Sequence, residues 1–178
     1  MNFKYTEKEL DKLLKENFTI IIDTREQKNQ MILDYFLKIK VPTKTEKLDS
    51  GDYGCYIAAS PELGIIRDTY LPIMIEKKNS CEELSSSFVE RTRFESEFIR
   101  AKGKGQKIYL LIEDRNYYQN IIDAKYNTNY TPKALMGSLK AFEQRYNINI
   151  HGEDKELCGN WIYGTLKAYA RAFLLGDI

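Results

Sequence analysis

The sequence predicts an α/β protein built from layers of strands and helices, and three observations predict it. Short, strongly apolar runs at Phe18–Ile22 and Ile108–Ile112 suit strands buried on both faces. Stretches between and beyond them carry apolar residues at helical spacing. The two kinds alternate without an internal repeat, low-complexity tract or linker, which favours stacked layers within a single domain over residues 1–178. A chain of 178 residues and 20.8 kDa is long enough for one sizeable core and short for two.

Each element has its own reason. Leu10, Leu13 and Leu14 form one apolar stripe among the charges of residues 5–16, as a short helix requires. The run Phe18–Ile22 follows as a central strand ending at Asp23. Ile32, Leu33, Phe36 and Leu37 place a helix over 29–39, closed by Val41-Pro42 because a residue before proline avoids the helical region. Residues 43–48 and 52–58 read as strands around the turn Asp49-Ser50-Gly51, and 70–78 as a third beyond the turn Ser60–Gly64. Helices are predicted over 81–88 and 90–101, with Gly103-Lys104-Gly105 ending the second, then a strand over 107–113. The Tyr- and Asn-rich stretch 116–130 reads as including a loop. Thr131-Pro132 starts a helix to about Tyr146, with threonine as cap and proline at the first helical position. A short strand at 148–151 and a helix over roughly 155–174 complete the chain.

Composition removes several chemistries. A single histidine, His151, excludes sites needing two or three imidazoles. Cys55, Cys81 and Cys158 are far apart with no C-x-x-C pair, so neither a disulfide framework nor structural zinc is expected, and a reducing cytoplasm is the natural setting. Residues 1–9 lack the apolar core of a signal peptide, and no run approaches a membrane span. With 27 Lys and Arg against 26 Asp and Glu, the net charge of +1 exerts no global pull toward nucleic acid or membrane.

Carboxylates and one lysine gather at strand ends. Asp23, Arg25 and Glu26 follow the first strand, Asp52 opens another after Ser50-Gly51, and Glu76-Lys77-Lys78 ends the strand over 70–78. Residues two apart on a strand share a face, so Glu76 and Lys78 project together while Ile73 and Ile75 project oppositely. With Asp52 on a neighbouring strand, two carboxylates and a lysine would make a pocket for Mg²⁺, which takes hard oxygen ligands and keeps much of its water. Spacing alone is equally compatible with a charged, solvent-facing strand end.

Taken together, Ile22-Asp23-Thr24-Arg25-Glu26, Ser50-Gly51-Asp52-Tyr53 and Ile75-Glu76-Lys77-Lys78 resemble the motifs of the XPF family of structure-specific endonucleases, the ERCC4-type domains of the PD-(D/E)XK superfamily. The order D-x-R-E, G-D, E-R-K-x-x-x-D is kept, an arginine-bearing helix follows at Arg91–Glu97, and the likeness covers about residues 18–151. It implies a three-layer restriction-endonuclease-like fold, a central mixed sheet flanked by helices. It also implies Mg²⁺- or Mn²⁺-dependent cleavage of DNA phosphodiesters, with branched or flap DNA in repair, recombination or replication of bacterial or phage DNA as the expected setting.

By the same resemblance, Asp52 and Glu76 are the principal metal ligands and Lys78 the catalytic lysine. Asp23 and Glu26 are acidic residues at the rim that help bind or position metal. Arg25 approaches a phosphate or braces the carboxylates, and Arg93 matches the family's helix arginine. Lys77 keeps the charge of the family's arginine and is placed with the DNA-contacting residues. The motif's last aspartate falls at Glu82, and a position often glutamine in relatives is Glu97. Some 27 residues after 151 leave no room for paired helix-hairpin-helix modules, so a stand-alone nuclease domain is expected.

Residues 91–107 hold six Lys and Arg, including Arg91, Arg93, Lys102 and Lys104, against Glu95 and Glu97. Taken alone this is a solvated helix face; beside an acidic site it suits a DNA backbone. Tyr117, Tyr118, Tyr126 and Tyr130 are either partly buried aromatics or a stacking platform for unpaired bases. The stripe Trp161, Tyr163, Leu166, Tyr169, Ala170 and Phe173 is core or, as in relatives that dimerise through terminal helices, a homodimer surface. Two other classes of function stay open: a non-catalytic binding module on a nuclease fold, and a restriction-type duplex endonuclease.

Overall fold

The protein is described by a computed structural model covering residues 4–178. Met1–Phe3, the head of the stretch read above as lacking a signal-peptide core, lie outside the described residues. Seven strands form a mixed sheet flanked by helices. The described residues divide into two compact units, one of residues 4–48, 53–73 and 159–178, the other of 49–52 and 74–158.

The first unit begins with α1 (Glu7–Glu16), started by a capping box in which Thr6 and Glu9 satisfy each other's terminal groups. Its buried residues are the predicted Leu10, Leu13 and Leu14. Every residue of β1 (Phe18–Ile22) is buried, as an apolar central strand requires. After α2 (Gln30–Lys38), strand β2 (Thr43–Thr45) pairs parallel to β1, with Ile21 opposite Lys44. On its other side β1 pairs antiparallel with β3 (Tyr53–Ile57), with Ile20 opposite Cys55. Strand β4 (Thr69–Tyr70) pairs with β3.

In the second unit, β5 (Ile73–Lys78, beginning one residue before the unit's stretch from Met74) neighbours β6 (Lys107–Ile112), which pairs parallel with β7 (Ile148–Gly152). Between them run α3 (Cys81–Val89), α4 (Arg91–Gly103), α5 (Tyr117–Ile122) and α6 (Pro132–Tyr146). Phe88, Phe94, Phe98 and Phe142 pack ring against ring with centroids 4.9–5.8 Å apart and form the centre of this unit's core.

The last helix, α7 (Cys158–Leu175), returns to the first unit. Its Ile162, Leu166 and Ala170 are fully buried, Tyr163 meets Phe18 edge-on, and Tyr169 donates to the Pro72 carbonyl at 3.0 Å. Of the stripe itself, Leu166 and Ala170 are buried and Trp161, Tyr163, Tyr169 and Phe173 are half-buried.

Two elements differ from expectation. The strand expected over 43–48 stops at Thr45, because the Leu48 amide leaves the sheet and donates to the Asp23 carboxylate at 2.6 Å. The run 70–78 splits at Leu71-Pro72: Tyr70 pairs with β3, and Pro72 lacks the N–H that a continuous strand needs. The stretch 116–130 does include irregular chain after α5, which is entered through an Asx turn in which Asp114 accepts from the Asn116 amide at 2.9 Å. No helix among the described residues is long and apolar enough to cross a membrane.

Candidate active site

Strand β5 sets the central geometry. Its six residues are all buried, so its charged end is desolvated rather than solvent-facing. Glu76 and Lys78, two apart, share a face, and the Lys78 Nζ donates to Glu76 Oε1 at 2.6 Å. The Lys78 ammonium also lies 4.8 Å from the centre of the Phe94 ring on α4, a cation–π contact that restricts it further.

Asp52 is placed by the turn before it. Gly51 adopts φ +74°, and a Cβ there would come within 2.6 Å of Met74 Sδ and 3.1 Å of the Ile75 carbonyl, so glycine is required on two counts. The Asp52 amide then donates to Ile75 O at 2.8 Å, and its Oδ2 accepts from the Lys77 amide at 2.7 Å. Asp52 is thereby locked beside the Glu76–Lys78 segment by main-chain bonds on both sides.

The local charge is strongly negative. Burial, with Glu97 hydrogen-bonded to Glu76, pushes the Glu76 carboxyl up to about 7 against the pull of Lys78. Burial works against the charge on Lys78, but Glu76, Asp52 and Glu83 together hold its ammonium above the usual lysine range. Both shifts have one origin: more carboxylates than cations, in a place poor in water. Such a set of hard oxygen donors with excess negative charge fits a divalent cation. In this conformation no three His, Cys, Asp or Glu side chains among the described residues converge closely enough to cage an ion, and Lys78 serves as the counter-ion.

Glu82, at the place of the motif's last aspartate, instead accepts from the Asn127 amide at 2.6 Å. Its neighbour Glu83 is the one that acts on Lys78; Asn79 holds it through Oε2 at 2.6 Å. The sequence carried a signal for this, since Ser80-Cys81-Glu82-Glu83 is a capping-box pattern and Ser80 does accept from the Glu83 amide.

Lys77 requires a correction. Expected among the DNA-contacting residues, it has a fully inaccessible side chain, 3.4 Å from Glu113 and 2.7 Å from Asn79 Oδ1. Alternation is the reason: the parity that joins Glu76 to Lys78 sends Lys77 to the face of Ile73 and Ile75.

Asp23, Arg25 and Glu26 belong to the other unit. The two oxygens of Asp23 accept from the Arg25 amide (2.8 Å), Arg25 Nε (2.6 Å), Arg25 Nη2 (3.1 Å) and the Leu48 amide (2.6 Å). Burial would raise the Asp23 pKa, but these donors outweigh it and hold the carboxyl below its usual range. Asp23, expected at the rim of the metal site to help bind or position the ion, anchors its own turn through these bonds. Arg25 takes the bracing role of its two expected ones, with Nη2 also donating to Leu48 O at 3.1 Å. Glu26 is half-buried one residue on, its amide 3.1 Å from Asp23 O.

The basic segment lies along α4. The Arg93 side chain is 82% exposed, with a loose 3.8 Å approach to Glu90. Arg91 is turned to Glu95 at 3.2 Å and lies over Phe142. Lys102 donates to the Arg145 carbonyl at 2.5 Å and Lys104 pairs with Asp49; both remain exposed. Of the tyrosines, Tyr117, Tyr126 and Tyr130 pack on the core of the second unit, and Tyr118 is exposed.

No curated protein matches the chain. Solved structures similar to it include XPF from Aeropyrum pernix, with TM-score 0.60 and 14% identity over 84% of this chain and 60% of that one. XPF from Aeropyrum pernix in complex with DNA is similar with TM-score 0.57 and 16% identity over 85% of this chain and 64% of that one. The chain thus spans less than two thirds of the length of either structure. The ERCC4 domain matches residues 22–165, most of the sequence, and the chain belongs to that family.

Proposed function

We propose that this protein is a Mg²⁺- or Mn²⁺-dependent DNA endonuclease that cleaves branched or flap DNA in repair, recombination or replication of bacterial or phage DNA. The observation that carries the proposal is the desolvated Glu76–Lys78 pair beside an Asp52 locked by main-chain bonds, in a chain of the ERCC4 domain family. The similarity to XPF in complex with DNA supports the choice of polymer.

Asp52 and Glu76 are the residues that would hold the ion. When bound, it would neutralise phosphate charge and make water a better nucleophile at neutral pH. Lys78, freed from Glu76, presents a proton donor and a fixed positive charge to the phosphate oxygens, where charge builds up during in-line attack. Burial strengthens that charge because little water screens it. Phe94 under the ammonium limits where it can swing. Arg93, Lys102 and Lys104 supply exposed cations for the DNA backbone, a role that needs local rather than global positive charge. A cytoplasmic setting and self-association through α7 belong to the same proposal.

The test is cleavage of flap, fork, four-way junction, single-stranded and plain duplex DNA with Mg²⁺, with Mn²⁺ and with chelator. Metal-dependent cutting of the branched substrates is expected, lost in Glu76→Gln and in Lys78→Ala. Cutting at wild-type rate by both variants would remove these residues from the mechanism. Tight DNA binding without cutting under any metal would favour the non-catalytic module, and cutting at one sequence in plain duplex would favour a restriction-type enzyme.

A further inference from the structure

Resting on the metal-dependent reading above, we infer that Gln106 is a positioning residue for Asp52, acting through the buried hydroxyl of Ser50. Ser50 is 3% exposed, and its Oγ donates to Gln106 Oε1 at 2.8 Å. It stands just before the Gly51 turn that leads into Asp52. Gln106 is itself held firmly. Gly103-Lys104-Gly105 ends α4 in a Schellman motif: Gly105 takes φ +66°, its amide donates to Lys102 O at 3.0 Å, and the Gln106 amide donates to Ala101 O at 3.0 Å. Ala101 is fully buried, and β6 begins at the next residue, Lys107. The Gln106 backbone is thus fixed by a helix end on one side and by the sheet on the other.

The same helix end also reaches Asp49. Arg100 Nε donates to the Asp49 carbonyl at 3.0 Å, and Lys104 pairs with the Asp49 carboxylate. Those two contacts are exposed, and water screens them. Ser50 is enclosed, where a lost partner is not replaced by solvent. Asp52 is therefore gripped from two directions. Strand β5 holds the residue itself, through Ile75 O and the Lys77 amide, while Gln106 holds the turn that leads into it. Gly51, at φ +74°, is the joint between the two grips. Glycine has the widest backbone freedom of any residue, so a turn released at Ser50 can pivot there and shift the Asp52 carboxylate against Glu76.

The experiment is calorimetric titration of the full chain with Mn²⁺, with urea midpoints read in chelator. The proteins are wild type, Asp52→Asn, Ser50→Ala, Gln106→Met, the double variant of these last two, Gln106→Glu and Asp49→Asn. Wild type should bind, and Asp52→Asn should bind weakly or not at all. Ser50→Ala and Gln106→Met should each bind at least about tenfold more weakly, the scale of a residue standing behind a ligand. The double variant should bind no more weakly than either single one, because each lacks the same bond. Gln106→Glu keeps an oxygen acceptor for Ser50 and should keep most of the affinity. Asp49→Asn removes the exposed pair and should leave the affinity unchanged. Affinity is read on folded protein, so a merely structural bond would lower the urea midpoint without moving it.

Unchanged Mn²⁺ affinity in Ser50→Ala and Gln106→Met, with Asp52→Asn impaired, would overturn this inference and leave Asp52 and Glu76 as the ligands. Additive losses in the double variant, or an equal loss in Asp49→Asn, would also overturn it by reducing the effect to a general loosening of the turn. Where one single variant does not fold, the other carries the comparison with Asp49→Asn. Failure of wild type to bind Mn²⁺ would remove the metal-dependent reading and this inference together.

Discussion

The buried pair Lys77–Glu113 invites the sharpest perturbation. Both side chains are sealed from solvent, at 0% and 3% exposure, with nitrogen and oxygen 3.4 Å apart. Glu113→Gln keeps the shape and removes the charge, leaving a buried ammonium without this carboxylate. Breaking one side of such a pair costs about 3–5 kcal/mol. That is a large share of the roughly 5–15 kcal/mol that holds a domain together. At about 2–4 °C per kcal/mol for a chain of this size, melting should fall by roughly 6–20 °C. Replacing both partners, Lys77→Met with Glu113→Gln, removes the unbalanced charge and should leave a loss of only about 1–3 kcal/mol, that of a buried amide that has lost one partner. Urea unfolding of the two single variants and the double one reads these values. A loss below about 1 kcal/mol in Glu113→Gln, the range of surface pairs, would refute the buried-pair reasoning. Additive losses in the double variant would do the same. The folded double variant should also bind DNA with an unchanged salt dependence, because an enclosed lysine releases no counter-ions.

Two further perturbations test how neighbouring segments are held. Asp23→Asn removes the charged acceptor of four hydrogen bonds and should cost about 2 kcal/mol at pH 7. The Asp23 pKa is lowered on folding, so its contribution is fully present above the unfolded value of about 3.9 and lost as pH falls through the folded value. The gap between wild type and variant in urea midpoint should therefore close toward pH 2, and a gap independent of pH would contradict the assignment. Gly51→Ala puts a side chain at φ +74° and into Met74, at a cost of about 2 kcal/mol in thermal unfolding. A neutral or stabilised Gly51→Ala protein would show that this turn does not depend on glycine.

Much of the local structure was legible because short-range chemistry decides it. The capping box Thr6-x-x-Glu9, the apolar run of β1 and Thr131-Pro132 at the head of α6 each act within a few residues. The strand over 43–48 and the unbroken run 70–78 were misread where a distant group competed: the Asp23 carboxylate takes the Leu48 amide, and Tyr70 finds β3 as its partner. Lys77 belongs to a different class. Period-two alternation already assigned it to the face of Ile73 and Ile75, and its charge obscured that assignment until its partner Glu113, 36 positions away, was in view.

The sequence by itself determined the layered α/β class, the face shared by Glu76 and Lys78, and the identity of Asp52 as the residue after a glycine turn. Those follow from periodicity and backbone freedom, which are properties of neighbours along the chain. Tertiary structure alone decided which charges are desolvated and what each one faces. Glu76 is pushed up because burial and Glu97 act on it together, Asp23 is held down because Arg25 and Leu48 converge on it, and Glu83 rather than Glu82 acts on Lys78. The reason is physical: the energy of a charge depends on the water and the groups around it in space, and folding brings those groups together from positions that sequence separation does not order.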